Sequence, residues 1–135
     1  MQVKTPFEFG PKVQPITLNQ HPLVAGGIAT LTGWGTTTMY GDRPDTLQKV
    51  NFPILPLWEC QLRYKQKNRN ITEGMFCAGR AMRSGCHGDS GGPVAYNGIQ
   101  IGIVSGGADC QRPDYTGVYV NVYAVRDWIH ENSGV

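Results

Sequence analysis

Apolar and polar positions alternate in short stretches along much of the chain, and glycine, proline, aspartate or asparagine closes each stretch. Residues 28–34, 46–54, 98–105 and 117–122 are the clearest runs and predict strands. Asn97-Gly98 sits between the apolar Tyr96 and Ile99, which predicts a tight hairpin turn. Residues 93–96 also read as strand, whereas 83–87 read as loop. Helical periodicity is confined to two places. Residues 57–64 predict a short helix, and residues 123–132 a terminal one on which Val125, Trp128 and Ile129, at i, i+3 and i+4, form an apolar stripe expected to dock on the sheet. Short strands plus a terminal helix predict an all-β sandwich or barrel.

The 135 residues are enough for one domain with its own core. Charged residues make up 16% of the chain and the net charge is +2, too small an excess to suggest a nucleic-acid footprint. No apolar run approaches the ~18 residues of a membrane span, so neither nucleic acid nor membrane is an expected partner. Cys60, Cys77, Cys86 and Cys110 contain no Cys-x-x-C pair, which points away from a metal site, and nothing calls for a cofactor. Their even number fits two disulfides and an oxidising compartment. Spacing alone leaves three connectivities, or four free thiols, open. Asn70-Ile71-Thr72 is a glycosylation sequon. The first residues lack the charged start and apolar core of a signal peptide, so a secreted composition leads us to expect further sequence upstream.

Candidate chemistry concentrates in Ser84-Gly85-Cys86-His87-Gly88-Asp89-Ser90-Gly91-Gly92-Pro93. Glycines beside a serine leave its hydroxyl uncovered, and they let backbone N–H groups, here those of Gly88 and Ser90, converge on one point as donors to an oxyanion. A plain glycine turn between strands is the simpler reading of a bare Gly-x-Ser-x-Gly. The same five residues also satisfy the nucleophile elbow of α/β-hydrolases, with Asp127 and His130 following in that order. An elbow needs a strand before and a helix after. Here the residues before read as loop and those after as strand, and Asp127 and His130 read as surface residues of one helix.

Taken whole, Gly88-Asp89-Ser90-Gly91-Gly92-Pro93 resembles the nucleophile loop of the chymotrypsin-like (trypsin-fold) serine endopeptidases. Thr32-Gly33-Trp34-Gly35, Leu47-Gln48-Lys49-Val50, Met75-Phe76-Cys77-Ala78-Gly79, Ile103-Val104-Ser105-Gly106-Gly107 and Gly117-Val118-Tyr119 resemble further landmarks of that family, in the same order. The resemblance implies the second, C-terminal six-stranded antiparallel Greek-key barrel of a two-barrel fold, over residues 28–135 with a C-terminal α-helix. Residues 1–27 would then be the connection from a first barrel that these residues do not include. It implies Ser90 as nucleophile, Gly88 and Ser90 as oxyanion-hole donors, and disulfides Cys60–Cys77 and Cys86–Cys110. Ser84 would floor a primary substrate pocket, with Ser105, Gly107, Gly117 and the rim residue His87 contributing. A neutral floor and open glycine walls favour a large apolar or aromatic substrate side chain before the scissile bond of a protein or peptide. Gly106 departs from the family, which usually carries tryptophan there. Asp109 could attract a basic residue at the mouth, though a solvated loop carboxylate is the simpler reading.

A serine hydroxyl needs an adjacent base, itself oriented by a third group. The family's histidine in an Ala-Ala-His-Cys context and its aspartate in an Asp-Ile-Ala-Leu context have no counterpart among these residues, and His21, His87 and His130 do not match the base. Asp89 matches the carboxylate that pairs with the α-ammonium of a new N-terminus, yet no Ile-Val-Gly-Gly-like sequence is present. Asp89 is therefore expected to turn to solvent with a disordered or zymogen-like loop, and the face that a first barrel would cover is expected to be apolar. Three functions fit: a fragment of a secreted serine endopeptidase, inactive alone; a non-catalytic pseudo-protease binding module; and a half-enzyme complemented by another chain. An intact Ser90 argues against the pure binder.

Overall fold

The computed structural model describes residues 3–80, 83–107, 110 and 116–135. Among them the elements are β1 (Ile28–Gly33), β2 (Gln48–Pro53), α1 (Leu57–Lys65), β3 (Met75–Ala78), β4 (Pro93–Tyr96), β5 (Ile99–Gly106), β6 (Gly117–Asn121) and α2 (Val122–Ser133). The six strands form one antiparallel sheet in the order β2-β1-β4-β5-β6-β3. Strands β4, β5 and β6 follow one another, and β3 lies beside β6, which is Greek-key connectivity. The outermost strands also meet. Leu55 N–H donates to the Cys77 carbonyl at 2.9 Å and Gly79 N–H to the Pro53 carbonyl at 3.0 Å, so the sheet curls towards a barrel and its edges are not left bare.

The Asn97-Gly98 turn forms as the sequence predicts. Asn97 (φ 50°) and Gly98 (φ 76°) are both left-handed, and Tyr96 pairs with Ile99 across the hairpin. Strand β3 is the element that patterning did not single out. It has four residues, the last three all buried, so no alternation marks it, and its place is set by pairing with β6.

Alternate residues of β1, β2 and β3 feed a core in which the Tyr119 ring stacks with both Phe52 and Phe76, at 5.5 and 5.2 Å between centroids. A second cluster, including Leu55, Tyr64, Ile71 and Val118, packs α1 against the sheet, and the Cys60–Cys77 disulfide runs through it. The second disulfide joins Cys86 to Cys110. Sequence separations of 17 and 24 residues are each worth about 3 kcal/mol through restriction of the unfolded chain.

One expectation needs correction. Trp128 does not dock on the sheet; it is 66% exposed, whereas Val122 is fully buried and Val125 and Ile129 are half-buried. At ~100° per residue those three centre the stripe roughly 90° from Trp128. Exposed apolar side chains lie on several elements. They include Phe7, Phe9 and Val24 before β1, Trp34 and Tyr40 between β1 and β2, Trp58 on α1 and Trp128 on α2. The residues before β1 are themselves tied to the sheet: Asn19 N–H donates to the Gln100 carbonyl and Gln100 N–H to the Thr17 carbonyl, while Gly26 N–H reaches the Ile54 carbonyl.

No atom lies within 4 Å of a Cβ built on Gly98, so substitution there is penalised by backbone conformation alone. Gly98→Val is expected to lower unfolding stability by about 1–2 kcal/mol, read as a lower urea midpoint at unchanged slope, and D-alanine at the same site to cost almost nothing.

Candidate active site

Ser90 is exposed on a turn bound to β5. Asp89 N–H donates to the Cys86 carbonyl at 3.1 Å and Gly92 N–H to the Asp89 carbonyl at 2.8 Å. Gly91 N–H then reaches the Val104 carbonyl at 2.8 Å, and Val104 N–H returns to Gly92 at 2.9 Å. Gly88 (φ 101°) and Gly91 (φ 82°) take left-handed conformations that an L side chain would strain. Gly88 is also crowded, since a Cβ there would stand 3.0 Å from Arg43 Nε and 3.3 Å from Gly35 Cα.

Asp89 does not turn to solvent as the sequence led us to expect. Its carboxylate is partly buried and accepts backbone N–H groups from Gly35 at 2.8 Å and Cys86 at 3.0 Å. The space it fills is one that side chains at Gly33 and Gly35 would occupy, because a Cβ on either would overlap the carboxylate. Two peptide dipoles thus compensate the buried charge. Beside it lies a cavity of about 200 Å³, lined among others by Leu31, Thr36, Val50 and Ser84.

Next to the turn is a cavity of about 180 Å³. Ser84, His87, Gly88, Ser90, Gly107 and Gly117 all line it, so residues from 84 to 117 in the sequence converge. Ser105 lies beyond its lining, exposed on β5, and Asp109 lies outside the described residues. The Cys86–Cys110 bond ties the Ser90 turn to the chain beyond β5, matching the pairing that the resemblance implies. Among the described lining residues none is acidic.

The wall at Gly117 is not open in the way the sequence suggests. A Cβ on Gly117 would collide with the Tyr119 hydroxyl and ring, so the core tyrosine already fills that space. The same hydroxyl accepts the Gly85 N–H at 3.3 Å beside the cavity floor, and burial pushes its pKa well above that of an ordinary phenol. Thr116 also lines the cavity; its carbonyl accepts the Tyr64 hydroxyl, and its own buried Oγ1 has no hydrogen-bond partner among the described residues. Sequence reasoning missed Tyr119, Thr116 and Arg43. Tyr119 carries only the pattern of a core strand residue, and the other two reach the site through loops without periodicity.

His21, His87 and His130 are all exposed, and among the described residues no imidazole is hydrogen-bonded to the Ser90 hydroxyl. Asp127 pairs with its neighbour Arg126 at 3.1 Å on the exposed side of α2, away from any elbow arrangement. Asp89 and Gly35 are expected to be energetically coupled. Gly35→Ala and Asp89→Ala should each cost about 1–3 kcal/mol, while the double variant should cost less than their sum in a denaturation cycle, since removing the carboxylate frees the space the methyl needs.

A trypsin family model matches residues 1–129. The chain is 40% identical to trypsin eta of Drosophila erecta over 92% of its length and 48% of that protein's. It is 39% identical to human kallikrein-8 over 99% of its length and 52% of that protein's. Superposition on neuropsin, a serine protease expressed in the limbic system of mouse brain, gives a TM-score of 0.86 at 35% identity, covering 93% of this chain and 56% of that one. The chain spans about half the length of these relatives. A Ser90 turn clasped to β5, with its neighbouring carboxylate seated among glycines and a family match across nearly every residue, makes this chain a member of the trypsin family of serine proteases.

Proposed function

We propose that the chain carries the nucleophile half of a secreted serine endopeptidase. The observation that carries this reading is the shared cavity: Ser90 and the backbone of Gly88 stand at a pocket that also reaches Ser84. In the proposed reaction Ser90 Oγ attacks the carbonyl of a peptide bond, and the tetrahedral oxyanion is held by the N–H groups of Gly88 and Ser90. Its collapse expels the amine and leaves an acyl-enzyme that water hydrolyses. The base that takes the Ser90 proton, and the aspartate that orients it, come from polypeptide outside these 135 residues, a first barrel for which residues 1–27 are the connection.

The uncharged Ser84 supports a large apolar or aromatic substrate side chain. Val104 adds apolar surface, whereas Tyr119 behind Gly117 limits depth. Asp89 is the activation carboxylate. An α-ammonium entering the adjacent cavity would exchange its two backbone partners for an ion pair.

A serine-directed fluorophosphonate tests the reading. Labelling of the isolated chain is expected to be negligible. Joined to a first barrel carrying histidine and aspartate, it should label at Ser90 and cleave peptides, with Ser90→Ala lowering kcat on the order of 10⁶-fold. Rapid labelling or turnover by the 135 residues alone would overturn the division of labour, and a joined protein that binds peptides without ever labelling would mark a binding module.

A further inference from the structure

Gly106 lines the Ser90 cavity, and the position above it is not empty. A Cβ on Gly106 would stand 3.3 Å from Nη2 and 3.7 Å from Nη1 of Arg69, so the guanidinium lies in the space that any side chain at 106 would claim. Arg69 belongs to the loop between α1 and β3, and its guanidinium is also 5.7 Å from the centroid of the Tyr64 ring. A cation set between an aromatic face and a glycine backbone is positioned, not waving in solvent. Among the described residues no carboxylate pairs with it, and no acidic side chain lines the neighbouring cavity.

The backbone beside it is suited to an extended peptide. Strand β4 pairs with β5 only as far as Ile103, and the Ser90 turn takes both polar groups of Val104. Beyond Val104 that edge of β5 carries no strand partner among the described residues, while β6 holds the other edge through the Gly106–Val118 pair. A peptide added to this edge, with one side chain in the cavity, would carry its preceding residues past Gly106 and onto the guanidinium.

We propose that Arg69 is a specificity-determining residue that selects peptides bearing a carboxylate a few residues before the one whose side chain enters the cavity. The proposal rests on the substrate-cleft reading above and assigns that cleft an acidic preference. Because the pair would form at an exposed rim, discrimination of about threefold to fivefold is expected, and it should fade with salt.

The test titrates acetyl-Glu-Glu-Pro-Phe-amide and acetyl-Lys-Lys-Pro-Phe-amide into the 135-residue chain, following Kd by NMR at low salt and at about 1 M NaCl. The acidic peptide should bind about threefold to fivefold tighter at low salt, Arg69→Ala should erase the difference, and Arg69→Glu should reverse it. Arg69 is exposed, so thermal melts of the variants should overlay that of the parent. Equal binding of the two peptides, or a preference that survives Arg69→Ala, would overturn the assignment and leave the cleft standing. Failure of both peptides to bind would overturn the cleft and the assignment together.

Discussion

The Asp89 carboxylate is the constraint from which the site is built. It is a charge placed inside the fold, and it is tolerated because the N–H groups of Gly35 and Cys86 both point at it and because Gly33 and Gly35 carry no side chains. Those contacts bind the end of β1 and the residues after it to the Ser90 turn, two regions more than fifty residues apart in sequence. The turn is fixed from its other side by Val104 of β5. Ser90 is therefore exposed without being loose: its neighbours on both sides are committed to backbone partners.

Much of this was legible in the sequence, for identifiable reasons. The Asn97-Gly98 hairpin and the two helices are local events, fixed by left-handed tolerance and by periodicity, and they form close to where the pattern puts them. Strand β3 has too few residues to alternate and exists because β6 is there to pair with it. The Ser90 segment stands out as a cluster of glycines around a serine and an aspartate. What Gly33 and Gly35 are for does not stand out: their purpose, making room for a carboxylate from another element, is visible only in three dimensions.

The errors share one physical origin. Trp128 satisfies the helical period but lies on the flank of the stripe that Val122, Val125 and Ile129 form, and the sequence sends Asp89 to water because its compensation comes from peptide N–H groups, which have no residue type to betray them. The sequence presents Gly117 as an opening, while a tyrosine two residues along the same strand occupies the space. In each case the sequence names the group and the packing decides its surroundings.

Tyr119 joins the two halves of this description. Its ring stacks with Phe52 and Phe76, while its oxygen touches the glycine wall and the floor of the cavity. The barrel interior and the cleft lining are thus opposite sides of a single side chain. On the proposed reading, selectivity is free to drift through the loops that carry Ser84, Arg43 and Arg69, but not through β6, where any change of shape would be felt first by the packed interior.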